Sequence, residues 1–296
     1  MRIVSLLPSA TEILFALGLG DEVVGVTFEC DHPAEARSRR IVSTSALPDG
    51  LAPAEIDAVV RQRLARGDDL YHLDRGAFAD VEPDLIVTQD LCAVCAVDVS
   101  EVEDALAHLG CRSAVVTLDP VRLDDVVTSI GVVGRATGRD AAASDLMASL
   151  RARLDRLAAR LDGVAARRTL VLEWTDPPFS AGHWVPDMVA AAGGVEVLGR
   201  GGERSEAVTW GRVGGCGADV VVVSPCGYRL DGAVALADEV ARAGHLPAGA
   251  EVWAVDADAY VVRPGPRLVD GCEMLATVLH PDRCGPPDGS RARRIA

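Results

Sequence analysis

The chain has 296 residues, 49% of them hydrophobic, and a formal net charge of −15. That length and apolar content suffice for substantial cores without disulfide support and exclude a disordered chain. The acidic balance, in which every one of the 29 basic residues is arginine, excludes the broad basic surface that nucleic acid or an anionic membrane requires.

Ile3 to Leu7 is a short apolar run that reads as a first strand. Ser9-Ala10-Thr11-Glu12 has capping-box spacing, which predicts a helix capped by Ser9 with Glu12 reaching back. Ile13, Leu14, Phe15 and Leu17 supply its apolar face, and Gly18 and Gly20 end it. Val23 to Val26 and Arg40 to Val42 read as the next strands, and Val59 and Leu64 mark a helix. Leu85-Ile86-Val87 is a buried strand after Pro83. A second capping box, Ser100 to Glu103, opens a helix through Leu109, and Ser113 to Val116 returns to strand. Strands alternating with helices point to a parallel α/β architecture.

The middle of the chain is helical. Val121 to Ala136 forms one helix, Gly138-Arg139-Asp140 interrupts it, and a long helix follows. Leu146, Leu150, Leu154, Leu157 and Leu161 recur at spacings of four and three, giving one apolar stripe. From Asp140 to Leu161 such a helix extends on the order of 33 Å at 1.5 Å per residue. The last third restarts the first pattern, with strands at Thr169 to Glu173, Val195 to Leu198, Val220 to Val223 and Val252 to Val255. Helices are expected at Pro186 to Ala192 and Pro266 to Leu279. The tail after Cys284 is rich in Pro, Gly and Arg and is expected to fray. The expected division is 1–118, an α/β lobe; 119–166, a helical connector; and 167–296, a second α/β lobe.

In open α/β sheets, ligands meet the loops at the carboxyl ends of strands, and the candidate residues follow strands. Pro8 and Ser9 follow the first. Glu29-Cys30-Asp31-His32 follows the second and offers thiolate, carboxylate and imidazole within four residues, a set suited to zinc, iron or an axial position on cobalt or haem. Gln89, Cys92 and Cys95 follow the Leu85 strand. Cys92-Ala93-Val94-Cys95 either chelates a metal, with Cys30 and His32 completing the set, or works as a redox pair, or packs as two small thiols. Aromatic residues make up only 4% of the chain, yet Trp174, Phe179 and Trp184 cluster, which suits the wall of a planar ligand. His183 between them either ligates the ligand's metal or only hydrogen-bonds. Cys226 and Tyr228 end the Val220 strand, where Cys226 is either a metal ligand or a buried thiol in a Pro-Gly turn and Tyr228 contacts the ligand, and Tyr260, before the last helix, is expected to line the ligand site. Arg263 and Arg267 either hold a carboxylate or phosphate or pair with the many acids.

The run Arg2-Ile3-Val4-Ser5-Leu6-Leu7-Pro8-Ser9-Ala10-Thr11-Glu12, continued by Leu17 to Thr27, Val81-Glu82-Pro83-Asp84-Leu85, Ala191 to Gly194 and Ala218 to Val223, resembles the substrate-binding proteins of cobalamin and iron-siderophore ABC importers. The resemblance spans nearly the whole chain. It implies two Rossmann-like α/β lobes joined by a single long backbone helix, the class III arrangement, with a ligand held in the cleft between the lobes. Met1 runs straight into the first strand, without an apolar leader or small-residue cleavage site, and no apolar stretch reaches eighteen residues. The expectation is therefore a cytoplasmic protein of the unexported "cobalamin-binding protein" branch, with mostly reduced cysteines, no membrane span, and an ABC permease disfavoured as its partner. Its ligand would be a small molecule or metal complex, a corrinoid such as cobalamin or else haem. The rival expectation is a metal-binding or thiol-redox enzyme or sensor that uses zinc or iron at Cys30, His32, Cys92 and Cys95.

Overall fold

The computed structural model describes residues 1–48, 50–66, 70–74, 76–77, 81–89 and 113–296. The chain divides into two compact α/β units. One comprises Met1–Asp119 and Val127–Ala148, and the other comprises Pro120–Val126 and Ser149–Ala296.

The sheet of the first unit contains, among the described residues, β1 (Ile3–Ser5), β2 (Val23–Thr27), β3 (Arg40–Ser45), β4 (Tyr71–Leu73), β5 (Leu85–Thr88) and β6 (Ala114–Thr117), in the order β4-β3-β2-β1-β5-β6. All neighbours are parallel except β3 and β4. The central strands β1 and β5 are buried along their whole length, which explains why both read as unbroken apolar runs rather than as an alternation. Val4, Leu6, Val42 and Ile86 form the centre of one core cluster. Gly25 leaves room where β2 passes between β1 and β3. A Cβ there would lie 3.0 Å from Val42 Cγ1 and 3.2 Å from Val4 Cγ2.

Helix α1 (Pro8–Ala16) follows β1 directly. The capping box read from the sequence is not what starts it. Leu7 is the N-cap and contributes no side-chain cap, and Pro8 opens the helix, where its fixed φ suits a first-turn position whose N–H has no helical partner. Ser9 is therefore inside the first turn and buried. Helix α2 (Pro53–Arg66) covers the segment around Val59. The helix expected from Ser100 to Leu109 lies outside the described residues.

Helix α3 (Leu123–Thr137) turns at Gly138 into α4 (Asp140–Arg160), the long helix predicted by the leucine stripe. Leu150, Leu157 and Leu161 are buried, whereas Leu146 and Leu154 are only partly covered. Residues of α4 through Ala148 belong to the first unit and those from Ser149 to the second. Two α/β units joined by a long helix are thus the architecture.

The sheet of the second unit runs β10-β8-β7-β11-β12-β13, formed by β7 (Arg167–Thr175), β8 (Pro178–Ser180), β10 (Glu206–Ala207), β11 (Val220–Val223), β12 (Glu251–Val255) and β13 (Ala292–Arg294). β7, β11 and β12 are parallel. The long β7 divides one of its edges between two partners. β9 (Gly194–Glu196) pairs in parallel with its first residues, and β8 folds back antiparallel on its last. Leu170, Leu172, Val221, Val223 and Ala254 fill the core against Ala233, Ala237 and Val240 of α7 (Leu230–Arg242). Two further helices precede α7: α5 (Val185–Ala191) and α6 (Trp210–Gly214). After β12 come α8 (Ala257–Tyr260), α9 (Leu268–Leu279) and α10 (Pro281–Cys284).

The frayed tail is corrected by the structure. Residues after Cys284 return as β13, antiparallel to β12, with Val255 opposite Ala292 and Trp253 opposite Arg294. Ala292 is buried, and Val252 N–H donates to Ala296 O at 3.0 Å. The tail therefore covers an edge of the sheet that would otherwise present unpaired backbone groups. No helix among the described residues is long and apolar enough to cross a membrane.

Candidate functional site

In the first unit, parallel pairing brings the carboxyl ends of β1, β2 and β5 to one edge of the sheet. Pro8, Ser9, the Glu29–His32 loop and Gln89 all follow those ends. The residues are unequally available. Pro8, Ser9 and Gln89 are buried. The loop after β2 splits its own candidates: Cys30 is only 2% exposed, while His32 is exposed. The Cys30 thiol sits between two hydroxyls, with Thr11 Oγ1 at 3.0 Å and Thr27 Oγ1 at 3.2 Å. Thr11 Oγ1 also reaches Ser5 Oγ at 2.8 Å, so the thiol belongs to a small polar network beneath α1. Glu29 accepts a hydrogen bond from Tyr71 OH at 3.0 Å, and Asp31 faces Arg37 at 3.6 Å.

That split bears on the metal reading. A chelating set needs its donors to converge on one point at bonding distance. Among the described residues no group of three His, Cys, Asp or Glu side chains is arranged to hold a metal ion. Cys92 and Cys95 lie outside the described residues, and Cys30 and His32 turn to opposite environments.

In the second unit, the carboxyl ends of β7, β11 and β12 form the corresponding edge. Trp174 lies at the end of β7, opposite Phe179 of β8, and both are partly exposed. The Trp174 indole N–H donates to Asp176 O at 3.1 Å. Its ring meets Tyr228 edge-on, with centroids 5.8 Å apart. Tyr228 is held by the loop after β11: its N–H donates to Pro225 O, and its carbonyl accepts from Asp258 N–H of α8. Burial raises its phenol pKa. Cys226, in the same loop, is exposed. Tyr260 ends α8, beyond β12. The order β7-β11-β12 thus sets Trp174, Tyr228 and Tyr260 along one edge.

Two residues grouped with that cluster by sequence, His183 and Trp184, have their rings beside each other, with centroids 5.6 Å apart. Trp184 is buried at 7% exposure, and its indole N–H donates to Val261 O at 2.8 Å. His183 is carried away from the tip of the β7–β8 hairpin. Ser180 is already opposite Leu172, and Ala181 N–H donates to Val171 O, so the chain has run back along β7 before His183 is reached. His183 has a left-handed backbone, φ 48°, which a non-glycine residue adopts only at a cost of about 1–3 kcal/mol. The conformation is held by His183 N–H to Glu203 O at 2.6 Å and Gly202 N–H to His183 O at 2.9 Å. Its Nε2 is buried without a hydrogen-bond partner. Burial, reinforced by Arg204, lowers its pKa and keeps the ring neutral. A neutral imidazole with an unused nitrogen has the donor chemistry of a metal ligand.

The 199–205 loop packs against residues 181–183. Glu173 joins the two, accepting from Gly182 N–H at 3.0 Å and from the Ser205 hydroxyl. A Cβ on Gly182 would collide with backbone of residues 203–205. Glu196 fixes the start of the loop, accepting from the N–H groups of Val171, Val197, Leu198 and Gly199 at 3.0 to 3.2 Å. Burial pushes its carboxyl up to about 7 against the pull of those four donors.

Of the two arginines offered as anion ligands, Arg263 pairs internally with Asp258 at 2.8 Å, both side chains being largely covered. Sequence reasoning missed another arginine. The guanidinium of Arg291, from the tail, lies 4.9 Å from the centroid of the Tyr260 ring. The Asp288 to Ser290 turn that aims it was the available signal, obscured by the tail's composition.

The sequence profile of the periplasmic binding protein family matches residues 3–251. An uncharacterized ABC transporter substrate-binding lipoprotein of Bacillus subtilis, YvrC, is 26% identical and is matched over 95% of this chain and 80% of its own length. A cobalamin-binding protein of Halobacterium salinarum is also 26% identical, over 94% of this chain and 69% of its own. Among solved structures, a periplasmic heme-binding protein from Pseudomonas aeruginosa superposes with a TM-score of 0.72 at 19% identity, covering 100% of this chain and 98% of that one. These matches overturn the cytoplasmic expectation and, with it, the argument against a permease. That expectation rested on where the chain begins, whereas the likeness to a lipoprotein and a periplasmic protein extends over almost all of it.

Proposed function

The chain belongs to the periplasmic binding protein family, and we propose that it serves as the extracytoplasmic substrate-binding component of an ABC importer for a metal-bearing tetrapyrrole, a corrinoid or haem. The observation that carries the ligand class is the aromatic edge of the second unit. In a chain with 4% aromatic residues, Trp174 and Tyr228 stand edge to face where three parallel strands end. Large rigid rings offer contact area to a flat ligand at little entropic cost. The names of the relatives, one cobalamin-binding and one heme-binding, support the same class.

Binding a ligand that the unfolded chain does not bind raises stability by mass action, by about 2.7 kcal/mol at a hundredfold excess over Kd. Thermal melts with cyanocobalamin, dicyanocobinamide and haemin therefore test the proposal. A concentration-dependent rise in Tm with at least one of them supports it. Unchanged melting with all three at tens of micromolar refutes it.

A further inference from the structure

The tail contributes a charged group to the edge that carries the aromatic residues. Because β13 runs antiparallel to β12, its first residue lies beside the carboxyl end of β12. Ala292 is opposite Val255, and Asp256 N–H donates to Arg291 O at 2.9 Å. This register places Arg291 directly beyond the last strand pair, next to α8 and its terminal Tyr260. The guanidinium stands over the Tyr260 ring. It is anchored through Nε, which faces Asp288 Oδ2 at 3.4 Å, and the side chain keeps 40% of its surface accessible. Asp288 is itself held by the N–H and hydroxyl of Ser290 at 2.9 and 2.7 Å. A guanidinium has five N–H donors in a planar fork, and a contact through Nε leaves the terminal donors for an oxyanion. The two other tail arginines point their charge elsewhere: Arg293 pairs with Asp231 at 2.9 Å and Arg294 reaches Glu251 at 3.7 Å. The family profile ends at residue 251, before Tyr260 and the tail, so this arrangement lies beyond the part of the chain that the profile describes.

We propose that Arg291, set by β13 beside Tyr260, recognises an anionic oxygen group on the ligand, a carboxylate or a phosphate, at the end of the aromatic edge. The inference rests on the tetrapyrrole reading above and deepens it. Haemin carries carboxylates that its dimethyl ester lacks, and cobalamin carries a phosphodiester that cobinamide lacks, so the two pairs distinguish the sources. A charge-assisted hydrogen bond is worth about tenfold or more in affinity.

The experiment is equilibrium titration of wild type, Arg291→Gln and Arg293→Gln with all four compounds. The main-chain bond from Asp256 to Arg291 O survives either substitution, and unchanged melting temperatures check that β13 stays paired. The expected result is a loss of about tenfold or more for Arg291→Gln with haemin or with cobalamin. The member of that pair that lacks the anionic group should bind as it does to wild type, and Arg293→Gln should be unaffected. Equal affinity of wild type and Arg291→Gln for haemin and for cobalamin overturns the inference and leaves the tetrapyrrole reading intact. So does an equal loss with both members of a pair. Failure of wild type to bind any of the four refutes the tetrapyrrole reading and the inference with it.

Discussion

Trp174 and Trp184 look interchangeable in the sequence, and the structure predicts opposite outcomes for their removal. Trp184→Ala deletes a side chain that is 7% exposed and breaks the bond from its indole N–H to Val261 O. Truncating a buried tryptophan costs about 3–5 kcal/mol, and the orphaned carbonyl adds about 1–3 kcal/mol where water cannot replace the donor. Even the lower end of that loss, about 4 kcal/mol, lowers Tm by about 8–16 °C for a unit of this size. Trp184→Phe retains most of the volume and loses only the hydrogen bond, so it should fall between. Trp174→Ala removes a partly exposed ring that meets Tyr228 edge-on and donates to Asp176 O; the aromatic pair is worth about 0.5–1.5 kcal/mol. Its cost should appear in binding instead: loss of a central aromatic contact of about 2 kcal/mol weakens the ligand roughly thirtyfold. Urea denaturation gives the first quantity, and titration of the purified variants the second. Trp184→Ala with wild-type stability, or Trp174→Ala with full affinity, would refute the assignment of wall and core.

Three other expectations follow from the same geometry. The Glu196 carboxyl, raised from 4.5 to about 7, keeps its proton in the folded state where the unfolded chain has lost it; its contribution to stability is therefore fully present below about pH 4.5 and is lost, by up to about 3 kcal/mol, as pH rises through that window. Glu196→Gln should abolish this slope in urea midpoints, and an unchanged slope contradicts the account. Arg153 of α4 binds Asp270 and Glu273 of α9 at 2.6 Å each, an arrangement that raises its guanidinium pKa, chiefly through Glu273. Arg153→Met should cost about 1–2 kcal/mol, with most of the loss absent in a Glu273→Gln background, as a double-mutant cycle would show. Deleting residues 285–296 exposes the edge of β12 and should lower the urea midpoint and promote association on sizing columns; unchanged behaviour would mean the tail does not pair in solution.

The alternation of strands and helices was legible because buried parallel strands leave continuous apolar runs and α4 leaves a leucine stripe. Loops at strand ends were legible for the same reason, which is how Trp174, Tyr228 and Tyr260 were assigned to the ends of β7, β11 and β12. Finer placement depended on information that composition hides. Pro8 pre-sets the backbone of α1 and takes the role assigned to Ser9. The arginine-rich tail looks like a frayed end, yet its backbone pairs with β12 whatever its side chains are. Trp184 follows Phe179 closely in sequence, yet its ring is buried and its indole N–H is taken by Val261 O, a partner 77 residues on that spacing does not reveal. Cys30 carries ligand chemistry by type, while its burial beside the Thr11 and Thr27 hydroxyls could not be read from spacing.

The central claim is that this binding protein takes a flat, metal-bearing tetrapyrrole. Isothermal titration of the purified protein with cobalamin, cobinamide and haemin tests it most directly. The account predicts one-to-one saturable binding of at least one, with Kd of about 1 μM or tighter, corresponding to about −8 kcal/mol, and weakened by Trp174→Ala. Absence of heat and of spectral change with all three at tens of micromolar would contradict it.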